Sequence, residues 1–366
     1  MKNSLLFAGL ISLPVLLTSL FNPRSLPTPE GNLPCFIIDP EIPKNGPPGM
    51  VWIPGGTFTM GTSTDPQRRD EESPAHPVKV DGFWMDITEV TNAQFAEFVA
   101  ATHYVTTAEK PIDWEELKKQ LPPGTPKPPD ELLQPSSMVF TMTTGPVDLN
   151  NFLNWWKFVP GADWKHPQGA GSDYTTIPDH PVVQVCWDDA VAYCKWAGKR
   201  LPTEAEWEFA ARGGLKDSIY SWGNSKELNK YVNSWTGNFP YQNTKADGYV
   251  RTAPVKSFPA NGYGLYDMAG NVWEWCSDYY RIDYYQTCAD SGLVVNPQGP
   301  STWYDPGQPY NEVRVKRGGS FLCNESYCSS YRVVARMATS YDTGQDHTGF
   351  RCVMTKEMWE EMRNEP

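Results

Sequence analysis

A chain of 366 residues with 40% hydrophobic and 13% aromatic side chains can bury a sizeable core, and its fifteen tryptophans exclude a disordered chain. The 34 prolines and 29 glycines follow no collagen-like period, which favours loops, turns and short strands. A formal charge of −12 excludes nucleic acid as a partner, because phosphate binding needs a basic footprint.

Residues 1–21 join Lys2 to an apolar run over 5–21 that contains Pro14. They read as a secretory signal peptide or, if uncleaved, a membrane anchor. Cys35 follows Leu33-Pro34, a poor lipoprotein box. Export to the endoplasmic reticulum lumen, the periplasm or the outside fits a chain with eight cysteines. The proline-rich stretch 22–48 reads as a linker.

A domain is expected over 49–355, followed by a tail over 356–366. Residues 50–61 alternate around Gly55-Gly56 as a hairpin would, and 78–85 reads as one further strand. Thr91 is placed to cap a helix with Phe95, Phe98 and Val99 on one side. Residues 118–148 hold many prolines with little periodicity and read as an inserted surface loop. A second helix is expected over 187–197, capped by Asp188, with Ala190, Tyr193, Cys194 and Ala197 buried. Thr203 and Glu206 have the spacing of a capping box and open a third. Short strands and turns follow as far as Cys352.

Few groups in this chain can do chemistry. The five histidines, at 76, 103, 166, 180 and 347, show no helical spacing, and neither a phosphate-cradling glycine loop nor a Gly-x-Ser-x-Gly elbow occurs. Cys323 and Cys328 stand out, in the run Arg317-Gly318-Gly319-Ser320-Phe321-Leu322-Cys323-Asn324-Glu325-Ser326-Tyr327-Cys328. Read by itself, such a pair in an exported protein is a disulfide staple. As a reactive pair it would draw on Arg317, Arg332 and Arg336, cations that favour thiolates.

Several stretches carry a resemblance. They include Pro54-Gly55-Gly56-Thr57-Phe58-Thr59-Met60-Gly61, Gly198-Lys199-Arg200-Leu201-Pro202-Thr203-Glu204-Ala205-Glu206-Trp207-Glu208 and Asn261-Gly262-Tyr263-Gly264-Leu265-Tyr266-Asp267. Gly270-Asn271-Val272-Trp273-Glu274-Trp275, Arg317-Gly318-Gly319-Ser320 and Gly349-Phe350-Arg351-Cys352 complete the set. Over 49–354 the chain resembles the formylglycine-generating enzymes, or sulfatase-modifying factors. The fold this implies is α/β, a C-type-lectin-like variant with little regular secondary structure. That fold also carries paralogues without the cysteines and iron-dependent sulfoxide synthases, so the pair after Gly-Gly-Ser is what points to an oxidase.

The resemblance implies that Cys323 and Cys328 are catalytic and hold Cu(I), with Ser320 as a hydrogen-bond donor beside them. The reaction implied uses dioxygen and a thiol reductant to convert the cysteine of a sulfatase Cys-x-Pro-x-Arg motif to Cα-formylglycine. The partners implied are unfolded sulfatase polypeptides. Substrate contacts are expected from Asp113, Trp273, Arg336 and His347, the last at a position where several members have Asn. Two structural Ca2+ ions are implied, one at Asn233, Ser234, Asp247 and Tyr249, the other at Asp267, Gly270, Val272 and Glu274. Cys194 and Cys352 match a structural disulfide of the family, while the pairing of Cys35, Cys186, Cys276 and Cys288 stays open, Cys276 with Cys288 included. The rivals are a lectin-like binding module, a sulfoxide synthase, which needs a histidine cluster, and a thiol–disulfide oxidoreductase, which favours Cys-x-x-Cys.

Overall fold

The computed structural model describes residues 46–364, so the signal or anchor reading and Cys35 lie outside the described residues. The strands are β1 (Met50–Ile53), β2 (Gly56–Met60), β3 (His76–Val80), β4 (Phe83–Asp86), β5 (Ser136–Phe140), β6 (Trp156–Pro160), β7 (Trp273–Tyr279), β8 (Val294–Val295), β9 (Val313–Arg317), β10 (Arg336–Ser340), β11 (Thr348–Gly349) and β12 (Val353–Met354). The helices are α1 (Asn92–Thr102), α2 (Trp114–Leu117), α3 (Trp187–Trp196), α4 (Glu204–Arg212), α5 (Tyr284–Asp290) and α6 (Lys356–Asn364). No helix among the described residues is long and apolar enough to cross a membrane.

Local capping chemistry sets the helix starts. Thr91 Oγ1 accepts the Gln94 amide while Gln94 Oε1 accepts the Thr91 amide, and Thr203 and Glu206 repeat this exchange at α4. Helix α3 departs from expectation: the cap position is Cys186, whose amide donates to Asp189 Oδ2 at 2.9 Å, and Asp188 lies inside the helix.

Strand pairing departs further. Strand β1 does not pair with β2; it pairs with β4, while β2 pairs with β3. The single strand expected over 78–85 is two, because Asp81-Gly82 breaks the run. Part of the expected surface loop is also a strand. Residues 136–140 form β5, which pairs antiparallel with β6 and buries Met138, Val139 and Phe140. The segment after 355 folds as α6, with Met358 and Trp359 packed against Met50, Trp84 and Met354.

The sheet that positions the site has the order β10-β9-β7-β11. In β9 the two-residue period turns Val313, Val315 and Arg317 toward one face and Lys316 toward the other. On the first face lies α4, whose Glu204 and Glu208, one helical turn apart, both bond to Arg317. Glu204 also takes Arg336 through two bonds of 2.7 Å, so a buried network joins α4, β9 and β10. Ile53, Val78, Val80, Phe83, Trp207 and Phe209 pack in the same core.

Candidate active site

Gly318 and Gly319 leave β9 in the left-handed region, with φ of 92° and 73°. A Cβ at Gly319 would meet the Ser330 backbone at 2.8 Å, so the turn that delivers Ser320 needs glycine there. The loop then doubles back. Cys323 donates its amide to the Ser320 carbonyl at 2.9 Å, and Cys328 donates to the Asn324 carbonyl at 2.7 Å. Asn324 anchors the turn, its Nδ2 donating to the Trp235 and Gly237 carbonyls and its Oδ1 accepting the Ser326 amide. The result is a disulfide between Cys323 and Cys328, with Cα atoms 4.7 Å apart.

Both sulfurs line a pocket of about 410 Å3. Ser320, Trp273 and His347 line it too, with Met138, Phe152, Trp155, Trp156 and Phe239 along its apolar side. None of the lining residues is a carboxylate, and Arg69 is the lining guanidinium. Tyr327 stacks on Phe239 at 4.8 Å and meets Trp155 edge-on at 5.3 Å, which makes an aromatic wall beside the cysteines.

A polar corner faces that wall. Ser320 Oγ lies 3.2 Å from His347 Nδ1, and His347 Nε2 lies 3.2 Å from Gln345 Oε1. Parallel pairing of β11 with β7 sets His347 beside Trp273, whose amide donates to the His347 carbonyl at 2.8 Å. Burial holds the His347 imidazole well below its ordinary range, and the neighbouring Lys316 lowers it further, so it is neutral at pH 7.

Other expected residues stand elsewhere. Arg336 is fully buried, committed to Glu204 and flanked by Tyr280 and Tyr285, and does not line the pocket. Arg317 and Arg332 are likewise neutralised, by Glu204 and Glu208 and by Asp65 and Glu72. The three arginines therefore bring no net positive charge to the thiols, and their role is architectural. Asp113 is exposed, caps α2 by accepting the Glu115 amide at 2.8 Å, and is not a lining residue. Cys194 and Cys352 meet with their sulfurs 3.3 Å apart but are not bonded. Cys186, Cys276 and Cys288 are free and buried, so the open Cys276–Cys288 pairing is not formed.

The residues expected to hold calcium come together on adjoining loops, where Asn233 bridges to Gly270. Asp247 accepts the amides of Ser234 and Tyr249, no basic side chain pairs with it among the described residues, and burial raises its carboxyl. Glu274 is held by Arg351 and Trp207, and Asp267 accepts the Lys256 amide. Glu89 lies close by with a buried Oε2 that has no partner. Three carboxylates thus face one guanidinium, and burial raises Asp267 to about 6. That shortage of positive charge fits a hard cation at both sets. No three His, Cys, Asp or Glu side chains converge in metal-binding geometry among the described residues, so such an ion would also need carbonyl oxygens.

Sequence reasoning missed Arg69, Trp155, Trp156, Phe239, Lys316 and Gln345. Only Lys316 left a trace, as a lysine in an alternating strand next to the Gly-Gly turn.

The chain is thus a mixed fold of short strands and helices with a cysteine pair in the wall of an aromatic pocket. Residues 39–356 match the family model for the sulfatase-modifying factor enzyme 1-like domain, and the chain belongs to that family. It is 46% identical over 329 residues to the formylglycine-generating enzyme of Thermomonospora curvata, covering 87% of this chain and 98% of that one. It is also 39% identical over 317 residues to inactive C-alpha-formylglycine-generating enzyme 2 of Mus musculus, covering 83% and 85%. Among solved structures, PvdO of Pseudomonas aeruginosa shares the fold, with a TM-score of 0.53, 24% identity and coverage of 84% and 94%.

Proposed function

We propose that this chain oxidises the cysteine of a sulfatase Cys-x-Pro-x-Arg segment to Cα-formylglycine. The observation that carries the reading is the Cys323–Cys328 pair, set in the wall of an aromatic pocket without carboxylates. Family membership alone would not carry it, because a relative named as inactive is 39% identical.

Reduced, the two sulfurs are a soft donor set that fits Cu(I), and the pocket offers no hard oxygen anion to compete. Copper bound there would supply one-electron chemistry with dioxygen. Overall, a peptide R–CH2–SH, one dioxygen and two reductant thiols give R–CHO, hydrogen sulfide, water and one disulfide. The chain's own residues bind and orient. Phe152, Trp155, Trp156, Phe239 and Tyr327 would hold an extended peptide and exclude water, with Arg69 at the wall and Ser320 and His347 as the polar corner. An extended peptide demands a sulfatase that has not yet folded. Asp113, outside the pocket, would meet the substrate arginine.

The cation-poor carboxylate sets at Asn233–Tyr249 and Asp267–Glu274 support two structural Ca2+ ions. The apolar run over 5–21 supports an extracytoplasmic location, in the endoplasmic reticulum lumen, the periplasm or outside the cell. The sulfoxide synthase rival finds no support. His76 and His180 are bonded to the Pro74 carbonyl and to Thr252, and no three metal-binding side chains gather among the described residues.

The test is incubation of copper-loaded protein with a Cys-x-Pro-x-Arg peptide, dioxygen and a thiol reductant, followed by mass spectrometry. The reading requires aldehyde peptide from the wild type and none from Cys323→Ser or Cys328→Ser. Conversion that survives either substitution would refute it.

A further inference from the structure

We infer that Lys316, acting through Gln345 and His347, is a positioning residue that makes Ser320 a hydrogen-bond acceptor toward the pocket. Each buried arginine in the core, Arg317, Arg332, Arg336 and Arg351, faces a carboxylate. Lys316 is fully buried and faces none among the described residues. Its Nζ donates to Gln345 Oε1 at 2.6 Å and to Thr348 Oγ1 at 2.9 Å. The rings of Trp273 and Trp275 lie 5.8 and 5.3 Å away. Burial without a counter-ion pushes the Lys316 amine well below its ordinary range, and such groups mark functional sites.

The direction of each hydrogen bond follows from the atoms gathered around Gln345 Oε1. Charged or neutral, Nζ carries hydrogens to give, and it is Gln345 Oε1, not the amide nitrogen, that faces it. Thr348 gives its own hydroxyl hydrogen to the same oxygen at 3.1 Å. That oxygen also faces His347 Nε2 at 3.2 Å. Since an amide oxygen only accepts, Nε2 must carry the imidazole hydrogen, and in the neutral ring Nδ1 is then bare. Ser320 Oγ, 3.2 Å from Nδ1, completes the contact by donating its hydroxyl hydrogen. The Leu322 amide donates to the same Oγ at 3.3 Å. Ser320 therefore has no hydrogen left to give, and one lone pair remains for the pocket. It receives a thiol S–H or an amide N–H, and it does not donate to a bound oxygen. This reverses the donor role expected from the sequence.

The inference rests on the reading that a substrate thiol enters this pocket, and its test is independent of turnover. The full-length reduced protein is labelled with 15N-histidine, and the imidazole nitrogens are read by NMR, with a His347→Phe sample to assign the signal. Expected is a neutral His347 with its hydrogen on Nε2. A hydrogen on Nδ1, or on both nitrogens, would overturn the inference. Gln345→Leu cuts the link and should abolish that tautomer preference, with kcat lower by roughly tenfold and KM unchanged. Gln345→Glu keeps an oxygen acceptor and should restore the tautomer and raise kcat above the leucine variant. Gln345 is only partly buried, so both variants should fold. A leucine variant that keeps the wild-type tautomer also overturns the inference. If the tautomer is as expected but no aldehyde forms in any sample, the proposed reaction fails and the hydrogen-bond assignment stands.

Discussion

The Asn324 carbonyl accepts the Cys328 amide at 2.7 Å, so the residue that follows the first cysteine positions the second. Its side chain fixes the turn from the other side, through the carbonyls of Trp235 and Gly237. Replacing Asn324 with Ala removes those side-chain bonds and leaves the part-buried Trp235 carbonyl without its donor, while the exposed Gly237 carbonyl turns to water. The expected cost is about 1–3 kcal/mol, read by urea denaturation. Peptide oxidation should fall with it, because the two sulfurs lose their fixed spacing. An Asn324→Ala protein with wild-type stability and rate would show that the disulfide alone sets the turn.

Glu204 holds two arginines that the sequence suggested for the pocket. Glu204→Gln should therefore destabilise the fold by roughly 3–5 kcal/mol, since it leaves buried guanidinium charge without its counter-ion. Urea unfolding checks this. A loss of activity with unchanged stability would instead restore Arg336 to the site.

Asp278 supplies a pH dependence. It is buried, accepts the Glu204 amide at 2.8 Å and the Ser277 hydroxyl at 3.0 Å, and burial and then the Glu204 charge push it up to about 7. Its folded pKa lies above the unfolded value of about 3.9, so the folded state holds the proton more tightly. The associated stability is complete below about pH 4 and is lost as pH rises through 7, at up to about 1.4 kcal/mol per pH unit. Melting temperature measured from pH 5 to 8 should fall more steeply in the wild type than in Asp278→Asn. Parallel curves would contradict the assignment.

The calcium proposal predicts a concentration-dependent melting temperature. At a hundred times Kd, one ion adds about 2.7 kcal/mol, and a chelator should remove it. Asp247→Asn should lower the calcium response, and Glu89→Gln, which relieves the carboxylate crowding near Asp267, should raise stability in chelator. An identical melting temperature with calcium and with chelator would contradict both sites.

What was legible in the sequence was local or carried by the family motifs. The cap at Thr91 and the Thr203–Glu206 exchange are local, so the sequence alone announced them, though not the part Gln94 plays at the first. Strand partners were not legible, because β4 takes β1 on one side and β12, over two hundred residues later, on the other. The aromatic wall was hidden for a related reason. Strand β5 lies in a proline-rich stretch without periodicity, and what buries it is distant: its pairing with β6, its contacts to 344–346 and the packing of Phe140 on Trp235 and Phe239. Arginine is usually exposed, so nothing in the run around Arg336 announced that Glu204, 132 residues earlier, buries it. The cysteine pair, Ser320, Trp273 and His347 were legible because they stand in or beside motifs of the family. The direction of the Ser320 hydrogen bond was not, since it depends on Lys316 and Gln345 meeting in space.

The most direct measurement is an anaerobic titration of the fully reduced protein with Cu(I) against a chromogenic competitor. One tightly held equivalent is expected, abolished in both Cys323→Ser and Cys328→Ser. No tight equivalent in the wild type, or one that persists when both cysteines are replaced, would contradict it.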